Sequence, residues 1–301
     1  MSESVTGQSL HQWRAWAIQL AKANNIDPYE VDWLLQGLSP LTSTTLKLES
    51  YQTQTAILLK APLEEFTAKW NQRISDHTPI QYLVGETPWR NFTLSVTPDV
   101  LIPRPETELI IDIAKSLVKE SPTKEELLHG HWADLGTGSG AIALGLAHTF
   151  PNATVHAIDL SPKSLAIAKY NAVQCHFDHR ITFYQGSWLS PLSSLKGKLA
   201  AIVSNPPYIP TDTIPTLQPE VAQHEPRQAL DGGNDGLDCI KSLIQAGANY
   251  LQPGGLWLVE HMATQSTAIE HLLQQQDSYN HIKTHLDLSG VDRFVSACKA
   301  V

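Results

Sequence analysis

The sequence predicts an α/β fold, a doubly wound and mostly parallel sheet, preceded by a small all-helical N-terminal domain. Three observations predict it. From Trp132 onward, short apolar runs alternate with helical patterns. A glycine-rich turn joins the first of those runs to a buried helix, Ala141-Ile142-Ala143-Leu144-Gly145-Leu146-Ala147. Ahead of them, residues 1–76 carry apolar side chains at three- and four-residue spacing.

In the N-terminal part, Leu10, Trp13, Ala17, Leu20 and Ala21 make one apolar stripe. Asp27-Pro28, with Glu30 at the third helical position, is a start signal, and Val31, Leu34, Leu35 and Leu38 carry that helix to Ser39-Pro40. Pro62 opens a further helix with Leu63, Phe66 and Trp70. Between residues 77 and 98 the pattern changes to period two: Phe92, Leu94 and Val96 alternate with Thr93, Ser95 and Thr97, predicting a linker with a short hairpin. Residues 99–301 form the second domain. Pro105 opens a helix through Leu109-Ile110-Ile111-Asp112-Ile113-Ala114, and strands follow at Ile181–Tyr184, Leu199–Val203, Leu256–Glu260, His281–Leu286 and Phe294–Cys298.

Bulk properties bound the function. A chain of 301 residues with 42% apolar content can build real cores, and a formal charge of −9 without a basic block argues against a long phosphate-binding surface. Cys175, Cys239 and Cys298 are odd in number and far apart, which reads as reduced thiols. The chain opens with no signal-peptide pattern and no run approaches membrane-spanning length, so a cytoplasmic protein is expected. Among the thirteen histidines His281 and His285 are spaced H-x-x-x-H, but they fall on a predicted strand rather than one helix face, so no pairing suggests a metal and none is expected.

Two motifs carry the chemistry. In the first, the strand Trp132-Ala133-Asp134-Leu135 runs into Gly136-Thr137-Gly138-Ser139-Gly140, and a second strand, Ala153–Ile158, ends in Asp159. Glycines let the backbone turn tightly against a ligand, and an acid about 20 residues further on can bind ribose hydroxyls. The unit suits an adenosine-containing cofactor, though G-x-G-x-G departs from the dinucleotide spacing G-x-G-x-x-G. In the second, Asn205-Pro206-Pro207-Tyr208 follows Leu199-Ala200-Ala201-Ile202-Val203. Two prolines end the strand in a stiff turn at its carboxyl end, where open α/β sheets bind ligands. The Asn205 side-chain oxygen and the Asn205 and Pro206 carbonyls are acceptors, and the Tyr208 ring is a flat wall. That set suits a planar group bearing an NH2.

Together the motifs look like a class I, Rossmann-like methyltransferase that uses S-adenosylmethionine and acts on a planar nitrogen. Ile80-Gln81-Tyr82-Leu83-Val84-Gly85, Val100-Leu101-Ile102-Pro103-Arg104-Pro105-Glu106-Thr107-Glu108, and Glu225-Pro226-Arg227-Gln228-Ala229-Leu230 with Gly232-Gly233-Asn234-Asp235-Gly236-Leu237 make the resemblance specific. The chain resembles the bacterial release factor glutamine methyltransferases of the HemK/PrmC family, from about Pro79 to its end. Ribosomal-protein glutamine methyltransferases share Asn-Pro-Pro-Tyr but typically read differently after Arg104. The N-terminal part agrees in length and helical character without a diagnostic motif.

The resemblance implies a glutamine side-chain amide in a peptide chain release factor as the methyl acceptor. Asn205, Pro206 and Tyr208 would be catalytic, with Pro207 completing the substrate slot. Gly136, Thr137, Gly138, Ser139, Gly140, Asp159, Trp188 and Asn205 would bind S-adenosylmethionine, with Trp188 lining the adenine pocket. Relatives often have an acid before that tryptophan, where this chain has Ser187, which is left out of the site. Glu106 and Glu108 read equally as first-turn helix acids or as site residues. The N-terminal helices would dock the protein substrate. The runner-up activities are a DNA adenine methyltransferase and a ribosomal-protein glutamine methyltransferase. An adenosylmethionine-binding assembly factor and a nicotinamide-dependent oxidoreductase leave Asn-Pro-Pro-Tyr without a task.

Overall fold

Thr6 and Asp27 start the first two helices. Thr6 Oγ1 accepts from the Ser9 N–H at the head of Gly7–Ala23, and Asp27 Oδ1 accepts from the Tyr29 N–H at the head of Tyr29–Leu38. In the computed structural model, which describes residues 3–300, the chain forms two units. The first runs through Glu86 and takes in a distant segment, Gln218–His224. Its core joins Leu10, Trp13 and Ala17 to Leu34, Phe66 and Trp70 across the helices Gly7–Ala23, Tyr29–Leu38 and Leu63–Asp76. Glu30 makes an ion pair: Arg73 Nε donates to Glu30 Oε2 at 2.5 Å, and Arg73 also bonds Glu220 at 2.9 Å.

The N-terminal unit is not purely helical. Glu3–Val5 pairs antiparallel with Ile57–Leu59. Three residues with only Ile57 and Leu59 buried are too short to show a period of two. A further short helix, Ile80–Val84, ends at Gly85, where φ is +87°.

The second unit comprises Thr87–Leu217 and the chain from Glu225 onward. The ribbon Glu86–Trp89 and Phe92–Ser95 starts at the last residue of the first stretch and lies otherwise in this unit. Its seven strands are β1 (His131–Leu135), β2 (Thr154–Asp159), β3 (Ile181–Gln185), β4 (Leu199–Ser204), β5 (Leu251–Glu260), β6 (Tyr279–Leu286) and β7 (Asp292–Lys299), in the spatial order β6-β7-β5-β4-β1-β2-β3. β1 to β5 are parallel, and β7 runs antiparallel to both β5 and β6. Every residue of β4 is buried, as a central strand covered on both faces requires. One face is covered by the helices Leu109–Glu120 and Ala141–Thr149, the other by Asp238–Tyr250 and Ser266–Gln274.

The order reverses between β1 and β4. At that point Leu135 pairs with Ile158 on one side and Ser204 on the other, so the two sequence motifs leave the sheet side by side.

Candidate active site

The turn after β1 is set by backbone and by one buried acid. Gly136 and Gly138 have φ of +74° and +54°, a region where a side chain is strained. The N–H groups of Gly136 and Thr137 donate to the Ile158 carbonyl at 2.9 Å each. Beneath the turn, Asp134 Oδ2 accepts from the Thr137 hydroxyl at 2.6 Å and the Ala143 N–H at 3.0 Å. Burial pushes the Asp134 carboxyl up to about 7, against the pull of those two donors.

Asp159, at the end of β2, closes the turn from the other side. Its Oδ2 accepts from the Gly138 N–H at 2.9 Å and its Oδ1 from the Ser161 N–H at 2.8 Å. Each oxygen keeps a lone pair for a hydroxyl. Burial raises the Asp159 carboxyl above its ordinary value, and these N–H donors oppose the rise.

These groups border a cavity of about 470 Å³ that also reaches Asn205 and Pro207. Gly136, Gly138, Asp159 and Trp188 lie on its wall. The Trp188 ring covers Gly136: a carbon added to that glycine would come within 3.6 Å of it. Thr137, Ser139 and Gly140 stand behind the wall. Thr137 bonds Asp134, Ser139 is buried with its carbonyl accepting from Asn171 Nδ2, and Gly140 packs on Ala168 as it starts the helix. Sequence reasoning missed other wall residues, among them Pro98, Ser164, Gln228 and Cys239, and it set aside Ser187, which lies on the wall too.

The turn after β4 is held by side chains. Asn205 Nδ2 donates to Thr107 Oγ1 at 3.2 Å, and the Tyr208 hydroxyl donates to Glu260 Oε1 at 3.1 Å. Gln265 Nε2 donates to the Tyr208 carbonyl at 3.0 Å. Pro206 is buried, so Asn205 and Pro207 present this turn to the cavity. Gly236 passes so close that a side-chain carbon there would lie 2.3 Å from the Tyr208 carbonyl oxygen, which accounts for a glycine at that point of the Gly232–Gly236 motif. The Pro103–Glu108 and Glu225–Leu230 segments meet through Arg104, whose Nη2 donates to the buried Glu225 Oε2 at 2.5 Å.

Glu106 and Glu108 stay off the cavity wall. Glu106 is exposed and Glu108 Oε1 accepts from the Arg90 N–H at 2.8 Å. His261 is fully buried, its Nδ1 2.8 Å from the Met262 carbonyl, and burial lowers its pKa. Among the described residues, no helix is long and apolar enough to cross a membrane, and no group of three or more His, Cys, Asp or Glu side chains could hold a metal.

Residues 129–296 match the family described as "Methyltransferase domain". Curated relatives match along nearly the whole chain. A release factor glutamine methyltransferase of Synechocystis sp. is 49% identical, covering 97% of both chains. One of Thermosynechococcus vestitus is 41% identical, covering 97% of this chain and 99% of its own. One of Gloeobacter violaceus is 38% identical, covering 94% of each. Among solved structures, the hMettl16 catalytic domain in complex with the MAT2A 3'UTR hairpin 6 superposes with a TM-score of 0.54 at 12% identity, covering 77% of this chain and 80% of that one. That likeness speaks for the fold alone.

Proposed function

The chain belongs to the release factor glutamine methyltransferase family, and from that premise we infer that it transfers a methyl group from S-adenosylmethionine to a glutamine side-chain amide of a peptide chain release factor. The observation that carries the reading is that the glycine turn, Asp159 and the Asn205 turn border one cavity. The cavity suits this cofactor: Asp159 has spare acceptors for a ribose diol, Trp188 offers a flat wall for adenine, and the turn at Gly136 and Gly138 admits close backbone approach. When bound, the cofactor supplies an electrophilic methyl group.

The chain's task is aim and charge. An amide nitrogen is a poor nucleophile because its lone pair is delocalised into the carbonyl. With Nδ2 of Asn205 committed to Thr107, its Oδ1 is left to accept a substrate amide hydrogen. We assign the second hydrogen to the Pro206 carbonyl. Two fixed acceptors orient the nitrogen and stabilise the positive charge that grows on it during attack. Pro207 holds the turn and Tyr208, tied to Glu260, packs beside it. The excess proton leaves the nitrogen after transfer, so no general base is required before it.

The helical N-terminal unit is proposed to dock the body of the release factor, which needs a larger surface than the slot at Asn205 provides. Action in the cytoplasm, where release factors work, follows from that substrate. Incubation with labelled methyl donor and separate release factor, ribosomal-protein and DNA substrates tests the assignment. Label on a release factor glutamine is expected. Label confined to DNA or to a ribosomal protein contradicts it.

A further inference from the structure

Thr107 is 3% exposed although both its chain neighbours are acids directed elsewhere. Its oxygen accepts from Asn205 Nδ2, so its single proton needs another acceptor. The Glu260 carboxylate, at the end of β5 and 2% exposed, is a buried acid whose charged form Thr107 favours. Glu260 Oε1 already takes the Tyr208 hydroxyl, while Oε2 is a buried oxygen with no formed hydrogen bond. That oxygen is a buried acceptor still without a donor.

An ionised carboxylate accepts and never donates, so it fixes the direction of every bond leading back to the cavity. The Asn205 NH2 group donates to Thr107 at 3.2 Å, and a Thr107 proton turned to Glu260 Oε2 completes the relay proposed here. The Asn205 oxygen, on the cavity side, is then the free end. Reversed, the relay would present an NH2 group to a substrate NH2 group, and neither could accept.

We propose that Thr107 and Glu260 are positioning residues for methyl transfer, a buried relay that turns the Asn205 amide oxygen toward the substrate amide and ties down Tyr208. The proposal rests on the glutamine-amide reading above. It assigns roles to two residues that do not touch the substrate.

The test pairs Thr107→Val, which keeps the shape and removes the hydroxyl, with Thr107→Ser, which keeps the hydroxyl and removes a methyl group. In 15N-asparagine-labelled protein, the Asn205 side-chain NH2 signals are identified by their loss in Asn205→Ala. They are expected to move and exchange faster with solvent in Thr107→Val and to return in Thr107→Ser. Turnover on release factor should fall in Thr107→Val by on the order of 10²-fold, the cost of misplacing a reacting group by about 1 Å, with affinity for S-adenosylmethionine unchanged. Thr107→Ser should recover most of it. Wild-type turnover in Thr107→Val, or unmoved Asn205 signals, overturns the relay. Absence of transfer to release factor by the wild-type enzyme instead contradicts the substrate assignment, and the NH2 signals then decide the relay independently.

Discussion

The turns after β1 and β4 lie beside each other at the carboxyl edge of one sheet and are built by opposite means. The first is fixed locally: positive φ at Gly136 and Gly138, backbone bonds to Ile158, and Asp134 directly beneath. The second is fixed from afar. Asn205 is bonded to Thr107, 98 residues away in sequence, and Tyr208 to Glu260, 52 residues away. A turn that must place backbone against a ligand can be specified by glycine spacing alone. One that must aim a side-chain amide needs its rotation fixed by partners, and the fold brings those partners in.

The largest effect that separates the two turns is expected from Asn205→Ala. It removes an acceptor at the reacting centre and should lower turnover by on the order of 10²–10³-fold in a methyl-transfer assay. Near-normal turnover would mean that the second turn does not hold the acceptor amide.

At the first turn, Asp159→Ala should act on the methyl donor. Hydrogen bonds to a charged group are worth about 1.5–3 kcal/mol each, so the dissociation constant for S-adenosylmethionine should rise at least tenfold in calorimetry. Unchanged affinity would make Asp159 a brace for Gly138 and nothing more.

A pH dependence sharpens the contrast. Burial raises Glu260 from 4.5 to about 7, with Thr107, Tyr208 and Arg293 favouring its charged form and Glu106 opposing it. If the relay needs the carboxylate, turnover should decline as pH falls through about 7. Stability should move the other way, because a raised pKa contributes stability below the unfolded value that is lost as pH rises through the folded one. Asp134 shifts in the same direction, so the comparison of melting curves between wild type and Glu260→Gln isolates the share of Glu260. A Glu260→Gln protein whose melting temperature keeps the full wild-type pH slope would contradict this.

The smallest effect concerns docking. Trp16 and Tyr29 are 40% and 51% exposed on the helical unit. Replacing both by Ala should raise KM for intact release factor several-fold while leaving a short glutamine peptide unaffected, the two truncations together costing about 1 kcal/mol at an interface. Equal kinetics on both substrates would remove these two side chains from the docking surface.

Much of the fold was legible because its signals are local. The unbroken apolar run of β4 and the glycines after β1 each declare themselves within a few residues. The ribbon Glu3–Val5 was too short to declare itself, and nothing local marks Gln218–His224 as part of the N-terminal unit. At the site, the sequence left Glu106 and Glu108 equally as helix-start acids or site residues, yet Thr107 between them is the residue that bonds Asn205. The acids lie on the outward turns of a helix start, while the hydroxyl is turned inward. Its partners come from β4 and β5, so no periodicity or spacing could have revealed it.

The division of labour between the two turns is tested most directly by titrating Asn205→Ala with S-adenosylmethionine in the calorimeter alongside its single-turnover rate. The account predicts a dissociation constant close to that of the wild type while transfer is nearly lost, because Asp159 and the glycine turn hold the donor without Asn205. An affinity that falls in step with the rate would contradict it, and would make Asn205 a cofactor ligand first.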